Sequence, residues 1–191
     1  MEQSAPILRV EGVSKRYGGV RALENASLFR EKGFAAVGVA EAMRAAGMTH
    51  GGFYNHFGSK EALEAAACDA IFDRLVTLIA AIADFADKSE RREAFEAYRR
   101  RYLSKKARDA SAPNCPMVAF AGDMTRQSEA VRVAYGKGLA AYLDGFTRAS
   151  GAERAEALRR FAVLAGALTL ARSVAASDPE LSDEILESAL R

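Results

Sequence analysis

The chain has 191 residues, half of them hydrophobic, and 27 Lys and Arg against 25 Asp and Glu, a net charge of +2. That length fits one large domain, or a small one beside a larger one, and the composition favours a packed helical protein over a disordered chain. No apolar run approaches the roughly 20 residues that span a bilayer and the N-terminus lacks a signal-peptide core, so a cytoplasmic protein without a membrane partner is expected. Charge is spread unevenly: residues 1–60 hold 8 Lys and Arg against 5 Asp and Glu, residues 61–191 hold 19 against 20. A mildly basic front on a neutral body suits a nucleic-acid reader carrying a sensing or assembly domain, although three net charges lie within ordinary scatter. Cys68 and Cys115 offer neither a disulfide framework nor metal-ligand spacing and read as small buried apolar residues. No catalytic residue, metal or cofactor is expected.

In chain order, Ile7-Leu8-Arg9-Val10-Glu11 alternates as a strand does, followed by Gly12 and Tyr17-Gly18-Gly19. Helical periodicity begins at about Ala22, with Ala22, Leu23, Ala26 and Phe29 on one side and Gly33 as terminator. A second short helix covers Val39–Met48, with Val39, Ala42 and Met43 toward a small core. Gly38 or Val37 stands where a Ser or Thr cap is expected, so this helix starts weakly by about 0.5–1 kcal/mol. Gly47 permits a tight turn. Thr49–Phe57 forms a further short helix, with Phe53 and Phe57 four apart as core.

From Lys60 the pattern is helical almost without interruption. Ala62, Leu63, Ala66, Ala70, Ile71, Leu75, Leu78, Ile79 and Ile82 predict one long helix to about Phe85. Asp87-Lys88-Ser89 breaks it, and Ser89 is the expected cap of the next, which carries Phe95, Tyr98 and Tyr102. Arg108–Pro116, holding two of the four prolines, reads as a loop. Met117–Met124 is a short helix, and Ser128 opens a longer one through Phe146 that Ser150-Gly151 stops. Ala157, Leu158, Phe161, Leu164, Ala165, Leu168 and Ala171 mark another apolar stripe. Asp178-Pro179 then starts a final helix with Pro just inside its first turn. The expected fold is all-α: a three-helix front domain over residues 22–66 and a body of about six helices over 67–191, behind an atypical segment 1–21.

The front predicts a helix-turn-helix, in which the second helix enters the major groove of DNA while its neighbours grip phosphates. Thr49 caps that helix and reaches a phosphate, and His50 lies at its exposed N-terminal end, where base edges are met. Gly51 and Gly52 let the backbone approach the groove floor closely. Tyr54 and His56, with Asn55 between them, project outward toward phosphates. Lys60, behind the Ser59 cap, pairs a phosphate with its charge and the adjacent helix N-terminus.

Leu28–Phe34, Val39–Met48, Thr49–Phe57 and Gly58-Ser59-Lys60-Glu61-Ala62-Leu63 together resemble the tetracycline-repressor-like (TetR) family of bacterial transcription regulators. The likeness is close over residues 28 to about 72. The body resembles one subgroup through Asn114-Cys115-Pro116, Ala119, Asp123, Arg126-Gln127 and the tail Ser177–Leu186. The resemblance implies a homodimer formed by the last two long helices, about 152–191, and a pocket for a small apolar or aromatic effector within about 60–146. The 157–171 stripe suits that subunit interface, because small residues let helices approach; an internal core helix is the other reading. Phe72, Phe95, Tyr98, Tyr102, Met117, Phe120, Met124, Tyr135 and Tyr142 are the aromatic and Met candidates for the pocket, or else plain core. Arg99-Arg100-Arg101 with Lys105, Lys106 and Arg108 reads most simply as a solvated face.

Residues 7–28, in particular Leu8–Leu23, depart from that family and resemble the opening strand and loop of ABC-transporter ATPase subunits. No G-x-x-x-x-G-K-[ST] loop follows anywhere, so the machinery for ATP hydrolysis is missing. A foreign segment in place of the family's N-terminal arm and first-helix start is one explanation; a divergent arm is the other. Either leaves only about Ala22–Lys32 to buttress the reader. The expected function is a ligand-released homodimeric repressor binding double-stranded operator DNA. The alternatives are a ligand-binding dimer with an impaired reader, and a nucleotide-binding remnant of a transporter.

Overall fold

The two longest helices, α3 (Lys60–Ala83) and α7 (Glu129–Ser150) in chain order, form the most extensive helix pair, and the sequence of α7 explains why. Gly138 and Gly145 sit seven residues apart on α7, facing Phe72 and Ile79 of α3. A Cβ at Gly138 would fall 2.2 Å from Phe72 Cγ, and one at Gly145 would fall 2.6 Å from Ile79 Cγ2. Two missing side chains thus let two bulky ones from α3 settle against the α7 backbone, where dispersion contacts are densest.

This computed structural model describes residues 16–17, 20–21, 28–34, 36–45, 57–111 and 115–191. The strand expected at 7–11 lies outside them. Two two-residue strands are present instead, β1 (Arg16–Tyr17) and β2 (Val20–Arg21), paired antiparallel with Arg16 opposite Arg21. Helix α1 spans residues 28–32 and stops at Gly33, whose φ of 79° is left-handed and whose N–H reaches the Phe29 carbonyl at 2.8 Å. Helix α2 (Val39–Ala45) buries Ala42 and Met43. Ser59 caps α3 by accepting from the Ala62 N–H at 3.2 Å.

Helix α4 (Lys88–Tyr102) corrects one expectation: its cap is Asp87, not Ser89. The Asp87 carboxylate accepts from the N–H groups of Ser89 and Glu90 at 2.8 and 2.9 Å. A charged acceptor two residues earlier thereby satisfies the free donors of the first turn and complements its dipole. A single turn, α5 (Lys105–Arg108), follows, so the loop expected from Arg108 begins one residue later. Pro116 belongs to helix rather than loop, opening α6 (Pro116–Phe120), which passes into a 3₁₀ turn over Ala121–Arg126. Ser128 caps α7 and Gly151, with φ 64°, ends it. Helices α8 (Arg154–Val174) and α9 (Pro179–Ser188) complete the chain, the latter capped by Asp178 through the Leu181 N–H at 3.0 Å.

The 157–171 stripe divides: Ala157, Phe161, Leu164, Leu168 and Ala171 are buried inside the protomer, whereas Leu158 is exposed and Ala165 half-buried. The opposite side of α8 carries the exposed apolar residues Val163 and Leu170, 53% and 58% accessible, with Leu181 of α9 also exposed. Cys68 and Cys115 are buried free thiols, as their composition suggested. No helix among the described residues is long and apolar enough to cross a membrane.

Candidate functional site

At the front, Phe29, Phe34, Val37, Ala42, Met43 and Phe57 form a buried core beneath α1, α2 and the start of α3. Lys32 of α1 reaches Glu41 of α2 at 2.5 Å. The segment expected to read DNA, with Thr49, His50, Gly51, Gly52, Tyr54, Asn55 and His56, lies outside the described residues. Lys60 lies within them, at the first turn of α3. Its Nζ donates to the Phe34 carbonyl at 3.4 Å and sits 3.2 Å from Glu64 Oε1. Glu64 is buried, and that burial raises its carboxyl above the usual range while Lys60 pulls the other way. Lys60 is therefore a clasp between α3 and the end of α1, with one third of its side chain still exposed.

The pocket candidates divide into three groups. Phe95, Tyr98 and Tyr102 of α4 gather with Tyr142, Phe146 and Phe161 in one aromatic cluster, with Phe95 and Phe146 edge-on at 5.0 Å. Phe72 and Tyr135 make a separate T-shaped pair at 5.3 Å. Phe120 belongs with the front: its ring lies 4.6 Å from that of Phe34, which in turn touches Phe29. Met117 and Met124 flank it on the same element, both buried.

Within the aromatic cluster the hydroxyls of Tyr98 and Tyr142 share a 2.6 Å hydrogen bond, and burial pushes both well above the ordinary tyrosine range. The Tyr102 hydroxyl is buried beside the Cys115 thiol, and burial together with that thiol raises it strongly. Burial raises the Cys115 thiol as well. A groove of about 860 Å³ opens elsewhere, between α4 and α8; of the pocket candidates only Phe95 lines it. Among the described residues no group of three or more His, Cys, Asp or Glu is placed to hold a metal.

One polar network was not foreseen. The basic run is no simple solvated face, because Lys105 and Arg108 both reach Asp183 of α9 at 2.6 Å. Those contacts hold the Asp183 carboxyl below its usual range. Arg172 of α8 donates to the Ala107 carbonyl at 3.1 Å, and buried Ser182 donates to the Ala171 carbonyl at 2.9 Å. Arg99 pairs with Glu96 within α4. The acidic tail Asp183-Glu184 was the available signal, but its partners lie more than 70 residues away.

Residues 26–67 match the model of the tetR family of bacterial regulatory proteins. The match starts after the segment that resembles ATPase subunits, and that resemblance finds no counterpart in any comparison. No curated protein sequence matches the chain significantly. Among solved structures, reduced NemR of E. coli superposes with a TM-score of 0.72 at 23% identity, covering 88% of this chain and 91% of that one. A TetR-family transcriptional regulator from Cytophaga hutchinsonii gives 0.68 at 20% identity, covering 88% of each. AibR, solved in complex with isovaleryl coenzyme A and operator DNA, gives 0.57 at 18% identity, covering 88% of this chain and 93% of that one. Residues 26–67 are thus similar to the tetR-family model, and the chain shares its all-helical fold with these solved regulators.

Proposed function

We propose that the chain is a DNA-binding transcriptional regulator, a homodimeric repressor released from double-stranded operator DNA by a small apolar or aromatic effector. One arrangement carries the reading: the tetR-family segment packs through Phe34 directly on Phe120, which belongs to the same 116–126 element as Met117 and Met124. A guest that enters the aromatic core and shifts this element moves the front domain with it. That core is built from aromatic rings, which favours a largely apolar guest. AibR, bound to isovaleryl coenzyme A and operator DNA, supports a fold of this kind serving both ligands.

Thr49, His50, Gly51, Gly52, Tyr54, Asn55 and His56 are the proposed groove and phosphate contacts, with Lys60 adding charge at their edge. The dimer forms through about 152–191, and the exposed Leu158, Leu170 and Leu181 supply apolar surface for it. A mobility-shift titration against the gene's own upstream region tests the reading. A retarded complex that random DNA of equal length does not compete away is expected, and its affinity falls steeply with salt. Equal binding to both DNAs, or none, rejects specific repression and leaves a ligand-binding dimer with an impaired reader.

A further inference from the structure

We propose that the groove between α4 and α8 binds a small phosphate-bearing organic molecule of about nucleotide size. This site lies away from the front helices and meets the aromatic core only at Phe95. Helix α4 turns Lys88, Arg91, Arg92 and Arg99 into the groove, and their spacing of three, four and eleven residues puts them on one helix face. Across from them stand Arg159 and Arg160 of α8, and Arg191 at the chain end. Only two side-chain carboxylates line the groove, and both are engaged. Glu96 holds Arg99 at 2.8 Å, and Glu156 holds Arg159 and Arg160 at 2.8 Å each. Lys88, Arg91 and Arg92 have no ion-pair partner among the described residues.

Two rows of like charge facing across a groove repel, and a cleft lined by one sign concentrates anions of the other. Arg99 adds an independent indication. Its Nη1 is paired with Glu96, while among the described residues its buried Nε has no hydrogen-bond partner, which leaves a donor of the guanidinium for an acceptor. Arginine forks match phosphate oxygens in pairs, which makes phosphate the anion this set recognises. The floor is apolar: Phe95 and Leu164 are almost wholly buried there, and Val163 stands half exposed at the side. The volume of about 860 Å³ exceeds the needs of an inorganic ion and suits an organic ligand. The polar rim thus takes the phosphates and the floor takes the organic portion.

The test is calorimetric titration of the full-length protein at low ionic strength with ATP, without metal, and separately with inorganic triphosphate. ATP is expected to bind more tightly than triphosphate. The double variant Lys88→Glu, Arg92→Glu, whose side chains are exposed, is expected to lose at least tenfold in ATP affinity with an unchanged melting temperature. A matched reversal of two exposed cations on α7, Arg132→Glu with Lys137→Glu, is expected to leave ATP binding within twofold. Absence of ATP binding, or equal loss in both double variants, overturns the site. Equal affinity for ATP and triphosphate overturns the assignment of an organic ligand to it.

Discussion

The rings of Phe34 and Phe120 lie 4.6 Å apart between centroids, tilted by 39°, although 86 positions separate them in the chain. Both are fully buried, at 0% and 1% exposure. The contact joins the turn between α1 and α2 to the end of α6, so the front helices and the 116–126 segment share one hydrophobic junction. Phe120→Ala removes the ring and should cost about 3–5 kcal/mol in denaturant unfolding. It should also speed amide exchange in α2, residues 39–45, more than in α9. Uniform acceleration across both helices would show that the ring serves general stability and no coupling.

Two glycines of α7, two residues apart, should respond in opposite directions. At Gly138 a methyl group collides with Phe72, whereas at Gly136 nothing lies within 4 Å of a new Cβ. Gly138→Ala is expected to destabilise by about 1–3 kcal/mol through overpacking. Gly136→Ala is expected to stabilise by up to about 1 kcal/mol, because alanine is the better helix former. Thermal melts of the two variants decide it.

The structural role of Lys60 and the DNA contact proposed for it can be separated. Lys60→Ala leaves Glu64 buried beside a missing cation, which should cost about 1–3 kcal/mol and weaken binding to all DNA sequences alike. Adding Glu64→Gln removes the stranded charge, so the double variant should regain most of its thermal stability but none of its DNA affinity. Recovery of both in melting and mobility-shift assays would mean that Lys60 acts on DNA only through folding.

His50→Ala should relax base preference at one or two positions of the operator while affinity for random DNA stays nearly constant. That pattern separates a base contact from a phosphate contact. Selection of bound sequences from a randomised pool reads it directly, and an unchanged consensus would remove His50 from the reading set.

Alkaline pH should unfold the protein earlier than its net charge suggests. Burial pushes the Cys68 thiol from 9.0 up to about 12 and raises the hydroxyls of Tyr98, Tyr102, Tyr135 and Tyr142 above 10.0. In each case the folded state holds its proton where the unfolded chain has released it. Stability is therefore complete below about pH 9 and declines as pH rises from there toward the folded-state values. Circular dichroism melts between pH 8 and about pH 11 should show a steady fall, and Cys68→Ala should reduce its slope over the lower part of that range.

Much of the architecture was legible because it is local. Ser59, Ser128 and Asp178 cap helices by reaching N–H groups three residues ahead, and Gly151 ends α7 with its own left-handed φ. Such signals act within one helical turn, so neighbouring residues alone specify them. Even here competition intervened: Asp87 displaced Ser89 as the cap of α4 because its carboxylate reaches two N–H groups at once. The residues proposed to read DNA rest on a spacing of residue types, and all of them but Lys60 lie outside the described residues.

Long-range partnership was not legible. Helix α8 carries apolar residues on both sides, Phe161, Leu164 and Leu168 on one and Val163 and Leu170 on the other. Its period marks two stripes, and only packing against α7 chooses which one is buried. Lys60 carries the same charge whether it turns toward a phosphate or toward the Phe34 carbonyl, 26 positions earlier. The arginines of α4 look like a solvated face until α8 brings Arg159 and Arg160 opposite them. Helical rise and capping follow from a few adjacent residues; the direction of a side chain follows from burial of surface that distant segments share.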